Sequence, residues 1–158
     1  MSLQPATQDR AGIAPDLLQR LRKRLASNPA LGWLSPTLEE LERDACVLRL
    51  PYREAITNGS GTVHGGVLAT LADTAVAFAL ATNFDGKMGF ATADLTIHFL
   101  RRARGEVRAR ARILKKGKRV NVGEVEIEDA EGREVARALA TFILTTSTFD
   151  YAPERRTS

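Results

Sequence analysis

Residues 65–84 read GGVLATLADTAVAFALATNF, and this run decides the fold. Twenty mostly apolar residues are enough to cross a bilayer. The run is rich in Ala and Thr rather than Leu, carries Asp73 near its centre, and is followed by strand-like sequence instead of a basic cluster. It therefore reads as a helix buried in the core of a soluble domain. Asp73 is its only ionised side chain, set among Ala69, Thr70, Val76 and Ala77, with no Lys or Arg at i±3 or i±4. Burying a carboxylate without a neutralising partner is costly, so packing alone gives little reason to keep it there. At the other end, Gly65 and Gly66 open the helix, where backbone N–H groups lack intrahelical acceptors and absent side chains let a ligand oxygen come close. Taken singly, Asp73 reads as a helix-face residue, His64 as a cap and Gly65-Gly66 as a turn. Their combination points to chemistry.

Beyond the helix the apolar period changes from 3.6 to 2. Residues 91–100, ATADLTIHFL, set Ala93, Leu95, Ile97 and Phe99 against Thr92, Asp94, Thr96 and His98. Residues 106–116 alternate Val107, Ala109, Ala111 and Ile113 with arginines. In the next strand Val120 and Val122 are even-numbered while Val125 and Ile127 are odd, which predicts a bulge at Gly123. Residues 129–132, DAEG, form a turn, and Glu134 to Thr145 make a last strand with an alanine face at 136, 138 and 140. Upstream, Pro15 to Ser27 is a basic amphipathic helix, with Leu17, Leu18, Leu21 and Leu25 suited to docking on protein. In residues 37–52, TLEELERDACVLRLPY, the first half favours helix and the second half, with Cys46, Leu48 and Leu50, a strand that Pro51 ends. The resulting order is one strand, the long helix, then four antiparallel strands. A single sheet around a helix leaves one face and an edge uncovered, which predicts an oligomer.

The chain has 158 residues, 44% of them hydrophobic, which suits one domain with terminal extensions. Its first ten residues, MSLQPATQDR, lack the apolar core of a secretion signal, and Cys46 is a lone cysteine, so a cytoplasmic setting is expected. Two histidines 34 residues apart and one cysteine suggest no metal ligand set. The net charge is +4, with basic residues gathered at 101–104 and 115–119. Most of these suit hairpin ends, and a few are enough for a phosphate-bearing ligand. Nucleic acid is disfavoured, since no aromatics interleave with the basic residues.

The string NGSGTVHGGVLATLADTA at 58–75, with Asn58, His64, Gly65, Gly66, Leu71, Ala72 and Asp73, resembles the signature of the hotdog-fold acyl-CoA thioesterases, in particular the phenylacetate-pathway subgroup. The similarity extends through ATADLTIHFLRRA and covers roughly residues 37 to 146 by pattern matching. An HGG alone is weak, but its spacing from Asn58 and Asp73 makes the signal strong.

The resemblance implies an α+β hotdog fold: an antiparallel sheet wrapped around one long central helix, here with an N-terminal helical extension (1–36) before the domain (37–146) and a tail (147–158). It implies acyl-CoA hydrolysis without a cofactor, in homodimers usually paired into homotetramers. Carried over, Asp73 is nucleophile or general base, Gly65 or Gly66 offers an N–H to the thioester carbonyl, His64 and Asn58 orient it, and Thr92 positions the water or the carboxylate. Val67, Leu68 and Leu71 are expected to line the acyl site, and Arg101, Arg102, Lys115 and Lys116 to meet coenzyme A. Where the family usually has proline this chain has Arg102, which changes that turn. Gly66 and Asp73 lie roughly 10 Å apart along a helix, too far for one carbonyl to meet both, so the site is expected to be shared between subunits. Three other readings stand: a non-catalytic acyl-CoA-binding or regulatory module, hydration or dehydration of an acyl thioester, and a nucleic-acid binder. The isolated Asp73 counts against the first, the absence of the Pro-containing histidine strings against the second, and only net charge supports the third.

Overall fold

The computed structural model describes residues 13–84 and 88–148. Helix α1, Leu17–Ser27, is followed by β1, Thr37–Glu42, and β2, Ala45–Leu50. The long helix α2, Gly65–Ala81, precedes β3, Met88–Phe99, β4, Val107–Lys115, β5, Val120–Asp129, and β6, Glu134–Thr148. The strands form one antiparallel sheet in the order β1-β2-β4-β5-β6-β3. It wraps around α2 as expected of the hotdog fold.

The segment with helical character, residues 37–42, is a strand. Leu38 and Leu41 are buried three residues apart, a helical spacing. The pairing with β2 shifts between Leu38 and Glu40, and this irregularity lets two leucines three apart face the core from a strand. The sheet thus has two strands before α2, joined by a tight turn at Arg43 and Asp44, where Asp44 has a φ of 64°.

The predicted bulge at Gly123 is also absent. Along β5 the odd residues Asn121, Val125, Ile127 and Asp129 are all buried, so the parity never slips, and Val120 and Val122 face the other way. The register shift lies across the ladder in β4, between Ile113 and Lys115. Gly123 serves packing instead: a Cβ there would stand 2.5 Å from Val76 Cγ1 and 3.1 Å from the Arg112 carbonyl oxygen. The helix can lie this close because small residues meet on both sides. Ala72, Ala75 and Ala79 of α2 and Ala109, Ala111, Ala136, Ala138 and Ala140 of the sheet are all buried.

Helix α1 begins two residues later than Pro15, and its four leucines are buried in the chain's own core beside β1. Arg22 Nε donates to the Leu38 carbonyl at 3.1 Å, tying α1 to the outer edge of β1. Among the described residues no helix is long and apolar enough to cross a membrane. Strand β6 runs three residues past the expected Thr145, and the rest of the expected tail, residues 149–158, lies outside the described residues.

Candidate active site

The start of α2 is built by a pinned loop. Asn58 Oδ1 accepts from the backbone N–H groups of Ser60 at 3.0 Å and Thr62 at 3.2 Å and from Ser60 Oγ at 2.7 Å. The Asn58 N–H donates to the Thr62 carbonyl at 2.8 Å, and Gly61 takes the φ of 70° that closes the turn. Val63 donates to the Ala103 carbonyl and His64 to the Ile56 carbonyl, each at 2.9 Å. The loop therefore enters the helix in one fixed direction. With its oxygen spent on the loop, Asn58 keeps its amide N–H groups for the exposed side.

His64 caps the helix. Its Nδ1 accepts from the Gly66 N–H at 2.9 Å, and its carbonyl accepts from Val67 at 2.9 Å and Leu68 at 3.2 Å. Of the two candidate glycine donors, Gly66 is therefore engaged, while the Gly65 N–H has no acceptor among the described residues. Because Nδ1 accepts, a neutral His64 carries its proton on Nε2, where it can donate outward.

Asp73 lies about two turns further along α2. It is half-buried within one chain rather than sealed in the core, and it is not without a partner: Thr92 Oγ1 donates to Asp73 Oδ1 at 2.8 Å. Simple alternation would have placed Thr92 on the face opposite Leu95 and Ile97. The pairing of β3 with β6 shifts between Thr92 and Asp94, so that Thr92 pairs with Phe142 and Leu95 with Ala140, both of them buried inward residues. This bulge brings the hydroxyl to the carboxylate.

Val67, Leu68 and Leu71 are 6%, 3% and 1% exposed, facing the chain's own core rather than an open cavity. The accessible stripe of α2 is Gly65, Gly66, Ala69, Thr70, Asp73 and Ala77. The two basic turns lie at opposite ends of α2. Residues 101–104 border its start through the Val63–Ala103 bond. Lys116 sits at its far end, where Nζ bonds Asp44 Oδ2 at 2.7 Å and Asn83 Oδ1 at 3.2 Å. Arg101 donates to the Glu134 carbonyl at 2.7 Å, and Arg102 and Lys115 are exposed. Cys46 is buried in β2 with its thiol donating to the Ala75 carbonyl, and burial pushes its pKa far up, away from the thiolate form that a nucleophile needs. Among the described residues no three His, Cys, Asp or Glu side chains gather as a metal site.

Phe99 was not singled out for the site by its sequence. Its ring atoms lie 3.2–3.6 Å from where a Cβ on Gly65 would stand, although the residue is 54% exposed. A large exposed apolar side chain at the end of a strand beside the motif is the signal that would have found it.

A profile of the thioesterase superfamily matches residues 60–136. A putative esterase of Halobacterium salinarum is 34% identical over 140 residues, covering 82% of this chain and 93% of its own length. The acyl-coenzyme A thioesterase PaaI of Escherichia coli is 35% identical over 98 residues, covering 61% of this chain and 68% of its own. Among solved structures, a conserved protein of Pseudomonas aeruginosa superposes with a TM-score of 0.73 at 27% identity, over 78% of this chain and 98% of that one. A Haemophilus influenzae thioesterase superposes with a TM-score of 0.76 at 23% identity, over 85% and 94%, and so supports the fold alone.

Proposed function

The chain belongs to the thioesterase superfamily, and from that premise we propose that it hydrolyses acyl-CoA thioesters to free acid and coenzyme A. The observation that carries this reading is the pairing of an unengaged Gly65 N–H with a carboxylate held by Thr92. A thioester carbonyl accepts the Gly65 N–H at the positive end of the helix, which stabilises negative charge as it develops on oxygen. Asp73 takes a proton from water as the water oxygen bonds to the carbonyl carbon; collapse of the tetrahedral species then breaks the carbon–sulfur bond, and the departing coenzyme A sulfur takes the proton back from Asp73. Direct attack by Asp73, with hydrolysis of the resulting anhydride, is the covalent version of the same step. The Thr92 hydroxyl holds one carboxylate oxygen, leaving the other for the reaction. His64, through Nε2–H, and Asn58, through its amide, are assigned the orientation of the carbonyl and its loop.

Along α2, Gly65 and Asp73 are about 12 Å apart at 1.5 Å per residue. One carbonyl cannot reach both, so we assign the carboxylate to a second copy, with Gly65 of one protomer facing the partner subunit's Asp73 across a two-fold axis. The accessible stripe of small residues on α2 lets two such helices approach closely. The same reading includes pairing of dimers into homotetramers, a cytoplasmic setting, a catalytic domain at 37–146, and phosphate contacts from the basic turn at 101–104; Lys116, bonded to Asp44 and Asn83, is left out of it. Val67, Leu68 and Leu71 would act only from beneath, by shaping the helix surface. The deciding experiment measures free thiol release from a panel of acyl-CoAs by the wild type and by Asp73→Asn. Turnover by the wild type and none by the variant supports the assignment; equal rates would remove Asp73 from the chemistry.

A further inference from the structure

A shared site fixes where a two-fold axis crosses α2, Gly65–Ala81. When Gly65 of one chain faces the partner subunit's Asp73, symmetry makes Asp73 face the partner subunit's Gly65, so the axis meets the helix halfway, at residue 69. Direction agrees with height. At about 100° of turn per residue, Gly65 and Asp73 point about 40° to either side of Ala69. The side chain that meets its own copy is therefore a single methyl group. Its surroundings suit such a contact: Leu68, Leu71 and Ala72 are buried in the chain's own core, whereas Ala69 and Thr70 are accessible. Thr70 brings no unpaired hydroxyl to the axis, because its Oγ1 donates to the Gly66 carbonyl at 2.9 Å within the same helix. No charge stands on the axis either, since the one ionised side chain of residues 65–84 is Asp73, held by Thr92.

We propose that Ala69 lies on the two-fold axis as a positioning residue: its methyl group spaces the two helices, and that spacing sets the gap between the Gly65 N–H and the partner subunit's Asp73 at both sites. This inference rests on the acyl-CoA reading above and on the shared site within it. Packed helices stand about 8–10 Å apart, according to the side chains between them. With Cα atoms about 2.3 Å from each helix axis, that separation holds two facing Cα atoms about 3.5–5.5 Å apart. A larger side chain at residue 69 presses on its own copy, so the helices separate and both carboxylates withdraw together. A shift of about 1 Å between reacting groups is enough to lower a rate about 100-fold. Ala69 touches no substrate in this arrangement and bears on the rate through distance alone.

Introduced cysteines read the axis directly, because Cys46 is the chain's sole cysteine and lies 2% exposed with its thiol bonded inside the core. Ala69→Cys is expected to link into covalent dimers once reductant is removed, since a disulfide spans Cα atoms about 4.4–6.8 Å apart. Ala77→Cys should stay single, its two copies standing about 24 Å apart along antiparallel helices. In turnover of an acyl-CoA that the wild type hydrolyses, Ala69→Ser should keep kcat within about twofold, while Ala69→Val lowers it about tenfold and Ala69→Leu about 100-fold. KM should hold within about threefold throughout, because the carbonyl still meets the same Gly65 N–H. Thermal melts and sedimentation establish that each variant is a folded dimer; a leucine variant that dissociates supports the place of Ala69 in the contact and leaves the kinetic comparison to valine. No crosslink in Ala69→Cys, equal crosslinking in Ala77→Cys, or a wild-type kcat in Ala69→Leu would each overturn the proposal. The crosslink is read without turnover, so a wild type inert toward acyl-CoAs would overturn the hydrolysis reading, and the part of Ala69 in the rate with it, whether or not the chains join.

Discussion

The two edges of the sheet are treated in opposite ways. Strand β1 is six residues long, irregular at Glu39, and covered by α1, whose Arg22 bonds its edge carbonyl. Strand β3 has twelve residues, pairs with β6 on one side only, and is exposed at Ala91 to Asp94, Thr96 and His98. A short, bulged, covered edge is protected against adding another strand; a long bare one invites it. The edge left bare is also the one that carries Thr92 and Phe99. What one chain leaves open thus includes the residue that holds the Asp73 carboxylate, in keeping with the proposal of a site shared with a second copy of the chain.

Substitutions can break this contrast. The largest effect is expected from Asp73→Asn, which should lower kcat by about 10³-fold or more while the melting temperature holds or rises, since a partly buried charge is removed. Retained activity would detach the bare edge from the chemistry. Mixing Asp73→Asn with Gly65→Val, each inactive alone, should restore about a quarter of wild-type activity, because half of the randomly formed dimers are mixed and each has one intact site. No recovery despite demonstrated subunit exchange, or an active monomer in the ultracentrifuge, would abolish the shared site. Thr92→Val should lower kcat about tenfold with little change in KM, by freeing the carboxylate to turn; an effect on KM alone would make Thr92 a binding group.

The smallest effect belongs to the far end of α2. Burial alone would raise the Asp44 pKa, but hydrogen bonds from Lys116 and Asn83 and the charges of Lys116 and Arg43 outweigh it and hold the carboxyl below its usual range. A depressed carboxylate contributes stability above its unfolded pKa and loses it as pH falls through the folded value. Lys116→Met should therefore lower stability at neutral pH by no more than about 0.5 kcal/mol, because Lys116 is half-exposed and solvent screens the pair, and flatten the acid limb of the melting curve. A tenfold rise in KM would instead return Lys116 to the coenzyme A site.

The existence of the central helix and of strands β3 to β6 was legible because a long apolar run and then successive stretches of period 2 mark them. Strand β1 was not, since a register shift inside six residues gave Leu38 and Leu41 the spacing of a helix. The inward face of Thr92 was hidden by the same device, while at Gly123 parity suggested a bulge that close packing had made unnecessary. For the site, residue types and spacing led to Asn58, His64, Gly65 and Asp73. They could not reveal that His64 occupies the Gly66 N–H, because capping depends on a rotamer. Nor could they show that Val67, Leu68 and Leu71 turn inward, because a helix apolar on nearly every side carries no record of which side meets its own sheet.

The methyl-lined contact between α2 and the sheet has a thermodynamic side. Leucines in the same places would each give up rotamers on folding, whereas alanine and glycine have none to lose, so these positions of the interface order without side-chain entropy cost. Its grip comes from proximity: Val76 already occupies the space where a Gly123 side chain would begin. With backbones this close there is no slack for one element to slide by a fraction of a turn. The helix is thereby indexed to the sheet like a shaft in a keyway, and the heights of Gly65 and Asp73 along it are set by atoms that take no part in the reaction.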